Sequence, residues 1–497
     1  MRLDAKVTRA GDRGLFVQLP EDVSSDVLVA VTEHLHDRFA PSAAIAGHSS
    51  VLLLFDRELE WFDGELLLEV EPAVSRAKAA RHTIPVSFDE RNAPDLEDVL
   101  AQLTISRDEF VRQLTSVALR VRFRGFLPGF AYLDGLPDAW NLQRRATSRT
   151  RVPQGSLGLA AGMAGFYPSD SPGGWNVVGR ASSAFWDPWR NPPALFAPGD
   201  LVRIEAVAAL PAPVSASPAR SASRGTPVAT CVTAGQRSLI VGPPNLARYA
   251  EGLPPSGAFD PLLAARANSA VGNPPEAAVL ECTLVGPELR FEAGCRVAWE
   301  GSAIRWEKNG ETIDGRVIDL RPGDGLRVGR LTDALRGWLA VSGGLAIDAA
   351  VCDAAPVGLA SGDALRSSEC ALVDANPLGP LARYDARTLS VSAGPHTLSE
   401  PDRRKIAERE WIVTPSLDRT GIRLQPAGAR ISAPASVPTC GMQRGTVQLH
   451  PNGDLVIMGP DHPITGGYLQ PFTVITQDLW KVAQLQPGDR IQWHFAG

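Results

Sequence analysis

The sequence predicts a mainly β protein with an α+β subdomain at its N-terminus and several β-barrels after it. Three observations carry this prediction. Helical periodicity concentrates in the first 116 residues, while beyond residue 120 short apolar runs are broken by many of the 46 glycines and 41 prolines. Segments such as LVRIEAV (201–207) and RIQWHF (490–495) alternate with the period of a half-buried strand. A paired motif also recurs. A Gly-Gly loop at SPGGW (171–175), VSGGL (341–345) and ITGGY (464–468) is followed each time by a Gly-Asp turn entering a strand: PGDLVR at Pro198, SGDALR at Ser361 and PGDRIQ at Pro487. A further turn of this kind, PGDGLRVG, starts at Pro322. Three ordered pairs predict three related barrel units, although Pro-Gly-Asp is also common turn chemistry.

In chain order, GLFVQL (14–19) and SVLLLF (50–55) read as strands, and Leu28, Val31 and Leu35 mark one helix face between them. A second helix follows Pro94, with Leu96, Val99, Leu100 and Leu103 on one side. A third starts at Ser106, where Glu109 completes a capping box ahead of Phe110, Val111 and Leu114. Residues 1–85 are assigned to the α+β subdomain and 86–208 to the first barrel. ALPAPVSASPARSASRGTP (209–227) has too little apolar surface to offset its ordering entropy and reads as a flexible linker. Residues 228–345 and 346–497 form the two remaining barrel units. One short helix interrupts them, with Asp260 as N-cap and Pro261 in its first turn.

At 497 residues the chain is too long for one core. A net charge of −6 leaves no electrostatic footprint for nucleic acid. No apolar run approaches the ~20 residues that span a bilayer, and MRLDAKVTRAGDRG lacks the apolar core of a signal peptide. A cytoplasmic protein with no membrane partner is expected. Cys231, Cys282, Cys295, Cys352, Cys370 and Cys440 are scattered without a C-x-x-C pair, which reads as free thiols. The eight histidines lack metal-ligand spacing, so no metal is expected.

The candidate site residues fall in two groups. In the front, Arg144, Arg145, Arg149 and Arg151 offer planar forks for carboxylate or phosphate, beside loops rich in Gly and Pro. The Gly173–Gly174 backbone adds anion donors, and Tyr132 and Trp175 are candidates to stack on a flat ring. Solvated arginines, plain turns and core aromatics are the alternatives. In the back, Asp461 and Thr465, with Gly466, Gly467 and Tyr468, combine a carboxylate, a hydroxyl and exposed backbone suited to general-base or orienting work. Arg419 is either a substrate ligand or part of an internal ion pair with Asp418 and Arg423. His462 is read as a surface-loop residue. Asp260 is first a helix cap, with any catalytic duty additional.

These residues carry a resemblance. GFLPGFAYLDGLP, RRATSRTRVPQGSLGLA and YPSDSPGGWNVVGR are similar to the KipI family, the B-type component of 5-oxoprolinase, also known as allophanate hydrolase subunit 1. PPSGAFD (254–260), NSAVGNPPEAAVLE (268–281), LDRTGIRL (417–424) and PDHPITGGY (460–468) resemble the KipA family, the C-type component, also known as carboxyltransferase-like. The chain thus looks like a fusion of the two components. The resemblance implies cyclophilin-like barrels and ATP-dependent opening of 5-oxoproline to glutamate, with a LamB/YcsF-type partner.

It also implies two alternatives: a biotin-dependent carboxyltransferase acting on urea or a related amide, and a non-catalytic regulator of a histidine kinase. No Walker A motif occurs, so ATP with magnesium would use an unconventional site or a site in trans. No biotin-attachment segment occurs, so biotin would come on a separate carrier chain. The expected ligand is a small cyclic amide or carboxylate, and self-association into a homo-oligomer is open. The chain departs from the family pattern at Val241, Gly242 and Asn245, where Gln, Asp and Arg are expected. It departs again at Leu114, where His is expected, and at Gln143 and Ser148, which replace prolines.

Overall fold

The computed structural model describes residues 1–60, 63–72, 79–140, 142–212, 225–347, 356–367 and 387–495. Most of the expected linker (213–224), Cys352 and Cys370 lie outside the described residues. The N-terminal subdomain is an antiparallel five-stranded sheet ordered 43–46, 50–54, 14–18, 2–9, 64–69. Helix Ser25–Phe39 lies against it through Leu28, Val31 and Leu35. Its core continues into Phe123, Phe130, Tyr132 and Trp175 of the next domain.

Two closed barrels of seven strands follow, separated by a middle unit. From its first strand, the front barrel runs Arg81–Ser87, Asn176–Ala181, Ser156–Ala160, Met163–Phe166, Ala131–Asp134, Ala118–Arg124 and Leu201–Ala206. The last barrel runs Thr388–Ala393, Leu469–Val474, Thr446–Leu449, Leu455–Met458, Gly421–Pro426, Trp411–Leu417 and Arg490–Phe495. Position for position the connections are the same. In each, the first and last strands pair in parallel and close the barrel, with Ile84 opposite Ile204 and Leu389 opposite Trp493. Each barrel also carries a two-stranded ribbon: Arg149–Val152 with Ser171–Gly173, and Cys440–Gly441 with Thr465–Gly466. Helices Leu96–Leu103 and Arg107–Ser116 pack on the front barrel through Leu96, Val99, Phe110 and Leu114, and Ser106 caps the second by accepting the Glu109 N–H, while the Glu109 carboxylate turns to Arg112 and Gln113.

The middle unit corrects the expectation of three barrels. It consists of two six-stranded sheets packed across Cys231, Leu289 and Leu326 on one face and Cys282, Trp299 and Leu339 on the other. Strands Val357–Gly358 and Ala364–Ser367 pair back onto these sheets, so the last barrel starts at Thr388 rather than near 346. Two-residue edge strands, Glu311–Thr312 and Val357–Gly358, end the ladders before the sheets can join.

All four Gly-Asp turns share one geometry. In each, the Asp N–H returns to the carbonyl three residues back (Ala197, Arg321, Ala360 and Gln486), and the glycine has φ between +88° and +93°. That is a type II turn, which demands glycine at its third position. The Asp carboxylate also accepts the N–H of that first residue in every copy.

Candidate functional site

The front and last barrels meet along a seam. Strand Ala118–Arg124 leads into Gly125-Phe126-Leu127, where Leu127 N–H donates to Gly125 O at 2.7 Å and Phe126 takes φ +63°. This is a γ-turn with positive φ at an aromatic residue, a rare and strained backbone. The turn presses against Thr465 of the last barrel, and a Cβ on Gly125 would overlap the Thr465 side chain. Thr465 is 3% exposed, and its buried Oγ1 faces the Tyr132 phenol without a partner of full hydrogen-bond geometry.

Arg144 reaches the same place. A Cβ on Gly467 would lie 3.9 Å from its Nη2, and its charge acts on both Tyr132 and Tyr167. Tyr167 accepts the Trp175 N–H, and burial pushes its phenol up to about 12. Burial likewise raises Tyr132. Both phenols therefore stay protonated at neutral pH. The seam gathers one guanidinium, two neutral phenols and one hydroxyl, a set suited to holding an anionic oxygen.

The four arginines separate in space. Asp95 is buried and binds Arg149 through two bonds of 2.5 and 2.7 Å, Arg145 through another, and the Val177 N–H at 2.7 Å. Arg151 pairs with Asp170 in solvent, where an ion pair contributes little. Arg144 alone of the four makes no ion pair among the described residues. Tyr132 stacks on Phe123 at 4.4 Å, and Trp175 stands edge-on to Tyr132 and Phe130. Their faces are spent on core packing, leaving the Tyr132 hydroxyl for the seam. Gly173, Gly174, Gly466 and Gly467 do not adopt positive φ. Close approach requires the first and third of them: Gly173 abuts the Tyr167 hydroxyl and Gly466 the Gln448 side chain.

The loop before Thr465 is anchored from behind. Arg419, 4% exposed, holds Asp461 through bonds of 2.7 and 3.0 Å, Glu281 at 2.8 Å and the Gly257 carbonyl at 2.7 Å. Ser256, at φ +54°, donates to Asp461 at 2.8 Å. The expected internal ion pair of Arg419 thus exists, but with Glu281 and Asp461; Arg423 pairs instead with Asp454. Asp461 is engaged by Arg419 through both oxygens. His462 is fully buried rather than on the surface, because the loop folds inward over Tyr249. Its Nδ1 donates to the Pro463 carbonyl, and its Nε2 accepts from the Tyr249 hydroxyl at 2.9 Å. Tyr468 packs on His450 with ring centres 4.3 Å apart.

Asp260 caps helix Pro261–Ala270 by accepting Leu262 and Leu263 N–H, and Gln484 donates to its other oxygen at 2.7 Å. Burial pushes Asp260 up to about 6 from 3.8, and pushes His450 and His462 down to about 4 from 6.5. As pH falls from 6.5 to 4, the unfolded chain takes up histidine protons that the folded chain refuses, so stability drops. Asp260 works oppositely. Between pH 6 and 3.8 the folded chain holds a proton that the unfolded chain releases, which offsets part of that loss. Asp260→Asn keeps a competent cap and removes the offset. Urea unfolding across this window should show a steeper acid loss in the variant, and an unchanged slope would refute the assignment.

The departures from the family pattern occupy structural positions. Leu114 is fully buried in the front core, Val241 is a buried strand residue, and Asn245 caps the turn Leu246–Glu251. Asp95, Gly125, Tyr167, Ser256 and Glu281 are not singled out by the sequence. Gly125, Tyr167, Ser256 and Glu281 fall inside the segments that carry the family resemblance, whereas Asp95 lies outside them, 50 and 54 residues from its arginine partners.

Comparison with known proteins gives the class of this two-barrel chain. Residues 5–196 match the family described as carboxyltransferase domain, subdomain C and D, and residues 251–495 match subdomain A and B of that domain. The chain belongs to the carboxyltransferase-domain family, with both parts in one polypeptide. It is 42% identical over 120 residues to the B-type component of 5-oxoprolinase from Escherichia coli O157:H7, covering 24% of this chain and 55% of that protein. It is 25% identical over 259 residues to the C-type component of 5-oxoprolinase from Haemophilus influenzae, covering 49% and 82% respectively. A third match, 28% over 284 residues, is to urea amidolyase of Lachancea kluyveri, and covers 49% of this chain and 15% of that one. The matches thus span about half the length of the B-type relatives, 55% for Escherichia coli and 50% for Bacillus subtilis. The crystal structure of TTHA0988 superposes with a TM-score of 0.83 at 27% identity, covering 97% of this chain and 99% of that one.

Proposed function

We propose that the chain is a component of an ATP-dependent amidohydrolase that opens 5-oxoproline to glutamate together with a LamB/YcsF-type partner. The carrying observation is the seam, where the unpaired Arg144 of the KipI-like part faces Thr465 and Gly467 of the KipA-like part. On this reading Arg144 binds the substrate carboxylate, while the Thr465 hydroxyl and the Tyr132 phenol donate to the ring carbonyl. Arg419, Asp461 and His462 act as positioning residues that hold the Thr465 loop in register with the front barrel.

Among the described residues no group of three or more His, Cys, Asp or Glu side chains is placed to hold a metal ion. The seam's single free guanidinium suits one anionic group and does not fit a magnesium-bound triphosphate. Nucleotide chemistry is therefore assigned to the partner. The test is ATP turnover and glutamate release by the full chain, with and without a LamB/YcsF-type protein, on 5-oxoproline and on urea. Glutamate formed only when chain, partner and ATP are all present supports the reading. Turnover dependent on urea and a biotin carrier would instead favour a carboxyltransferase, the reading that the two matched family descriptions favour.

A further inference from the structure

A second cavity, of about 640 Å³, opens where three parts of the chain meet. The N-terminal sheet contributes Phe55, the segment before helix Pro261–Ala270 contributes Leu246 and Tyr249, and the last barrel contributes Trp480. Its wall is mostly apolar, yet two guanidinium groups line it, Arg13 and Arg444. The Nε of Arg13 is buried without a hydrogen-bond partner, and Arg13 forms no ion pair among the described residues. Arg444 donates only to main-chain carbonyls, Phe259 O at 2.6 Å and Ala258 O at 3.4 Å.

Carboxylates stand near this pair without an ion pair to it among the described residues: Asp260, Glu281 and Asp461 act on Arg444 from behind the wall. Asp12 uses its two oxygens on Thr476, at 2.8 and 3.2 Å, and Asp56 is exposed at the rim. A buried guanidinium nitrogen without a hydrogen-bond partner, as Arg13 Nε is, is costly, and an anion entering the cavity would satisfy it. The apolar wall would bury a hydrocarbon body at the same time, at roughly 25 cal/mol per Å².

We propose that this cavity binds a small organic carboxylate with an aromatic or branched apolar body, its carboxylate against Arg13 and Arg444. The site is separate from the seam, but the two are mechanically linked. Tyr249 and Ser256, which line the cavity, hold His462 and Asp461 of the loop leading to Thr465.

The test is calorimetric titration of the full chain with phenylacetate and with its neutral isostere phenylacetamide. Phenylacetate is expected to bind at one site, at least ~10-fold more tightly than the amide, because hydrogen bonds to a charged group are stronger than those to a neutral one. Arg13→Gln should weaken phenylacetate by a similar factor and leave the amide unchanged. Leu262→Glu alters a side chain 52% exposed at the cavity wall, so folding is preserved, and it should weaken phenylacetate alone by repulsion. Arg144→Gln at the seam should change neither ligand. Equal affinity for acid and amide, no binding at millimolar concentration, indifference to Arg13→Gln, or loss on Arg144→Gln would each overturn the proposal.

Discussion

Replacing Arg419 with methionine should lower the melting temperature by on the order of 10 °C. The variant leaves Glu281, 1% exposed, and Asp461 without the charge that binds both of them. Breaking a buried pair from one side costs about 3–5 kcal/mol, because the remaining carboxylate is stranded in a medium that solvates it poorly. Glu281 also accepts the Phe259 N–H and the Trp338 indole, so the damage spreads into the core shared by the middle sheets and the last barrel. The double variant Arg419→Met with Glu281→Gln should recover part of the loss. Differential scanning of the three proteins checks this, and a single-variant shift within a degree or two would show that the network is not what holds the loop.

Arg144→Gln should reduce 5-oxoproline-dependent turnover by roughly 10- to 100-fold, the range expected from losing a charge-assisted hydrogen bond. The melting temperature should not move, since Arg144 is exposed and makes no ion pair among the described residues. Arg144→Lys should restore only part of the activity, because an ammonium group cannot reproduce the planar fork. The loss should appear in KM if the residue grips the substrate equally before and during reaction. Steady-state kinetics with the partner present reads this directly, and wild-type kinetics in Arg144→Gln would remove the seam from the mechanism.

Legibility follows the range of the interaction. The N-cap at Ser106, the cap at Asp260 and the Gly-Asp turns are each complete within four residues, and the structure shows each of them. Their repetition even exposes the kinship of the two barrels. The arginines are legible as a group but not by fate. Asp95, which claims Arg145 and Arg149, lies 50 and 54 residues away, and nothing in the spacing of RRATSRTR points to it. His462 is misplaced by its sequence context for the same reason: Tyr249, its partner, is 213 residues distant. The open middle unit is hard to tell from a barrel because its Gly-Gly loop mimics the others in letters. Gly343 and Gly344 form a true turn with φ of +80° and +70°, whereas the barrel copies use glycine for close contact.

The parallel pairing of first and last strands has an evolutionary reading. Because these two strands run the same way, the chain enters each barrel at one end and leaves it at the other, so units can be strung in series without rethreading a strand. Here the copy matching subdomains C and D precedes the one matching A and B. The two parts that this chain joins match separate proteins in the 5-oxoprolinase relatives, and a serial connection of this kind can be made or cut between the barrels without disturbing either one.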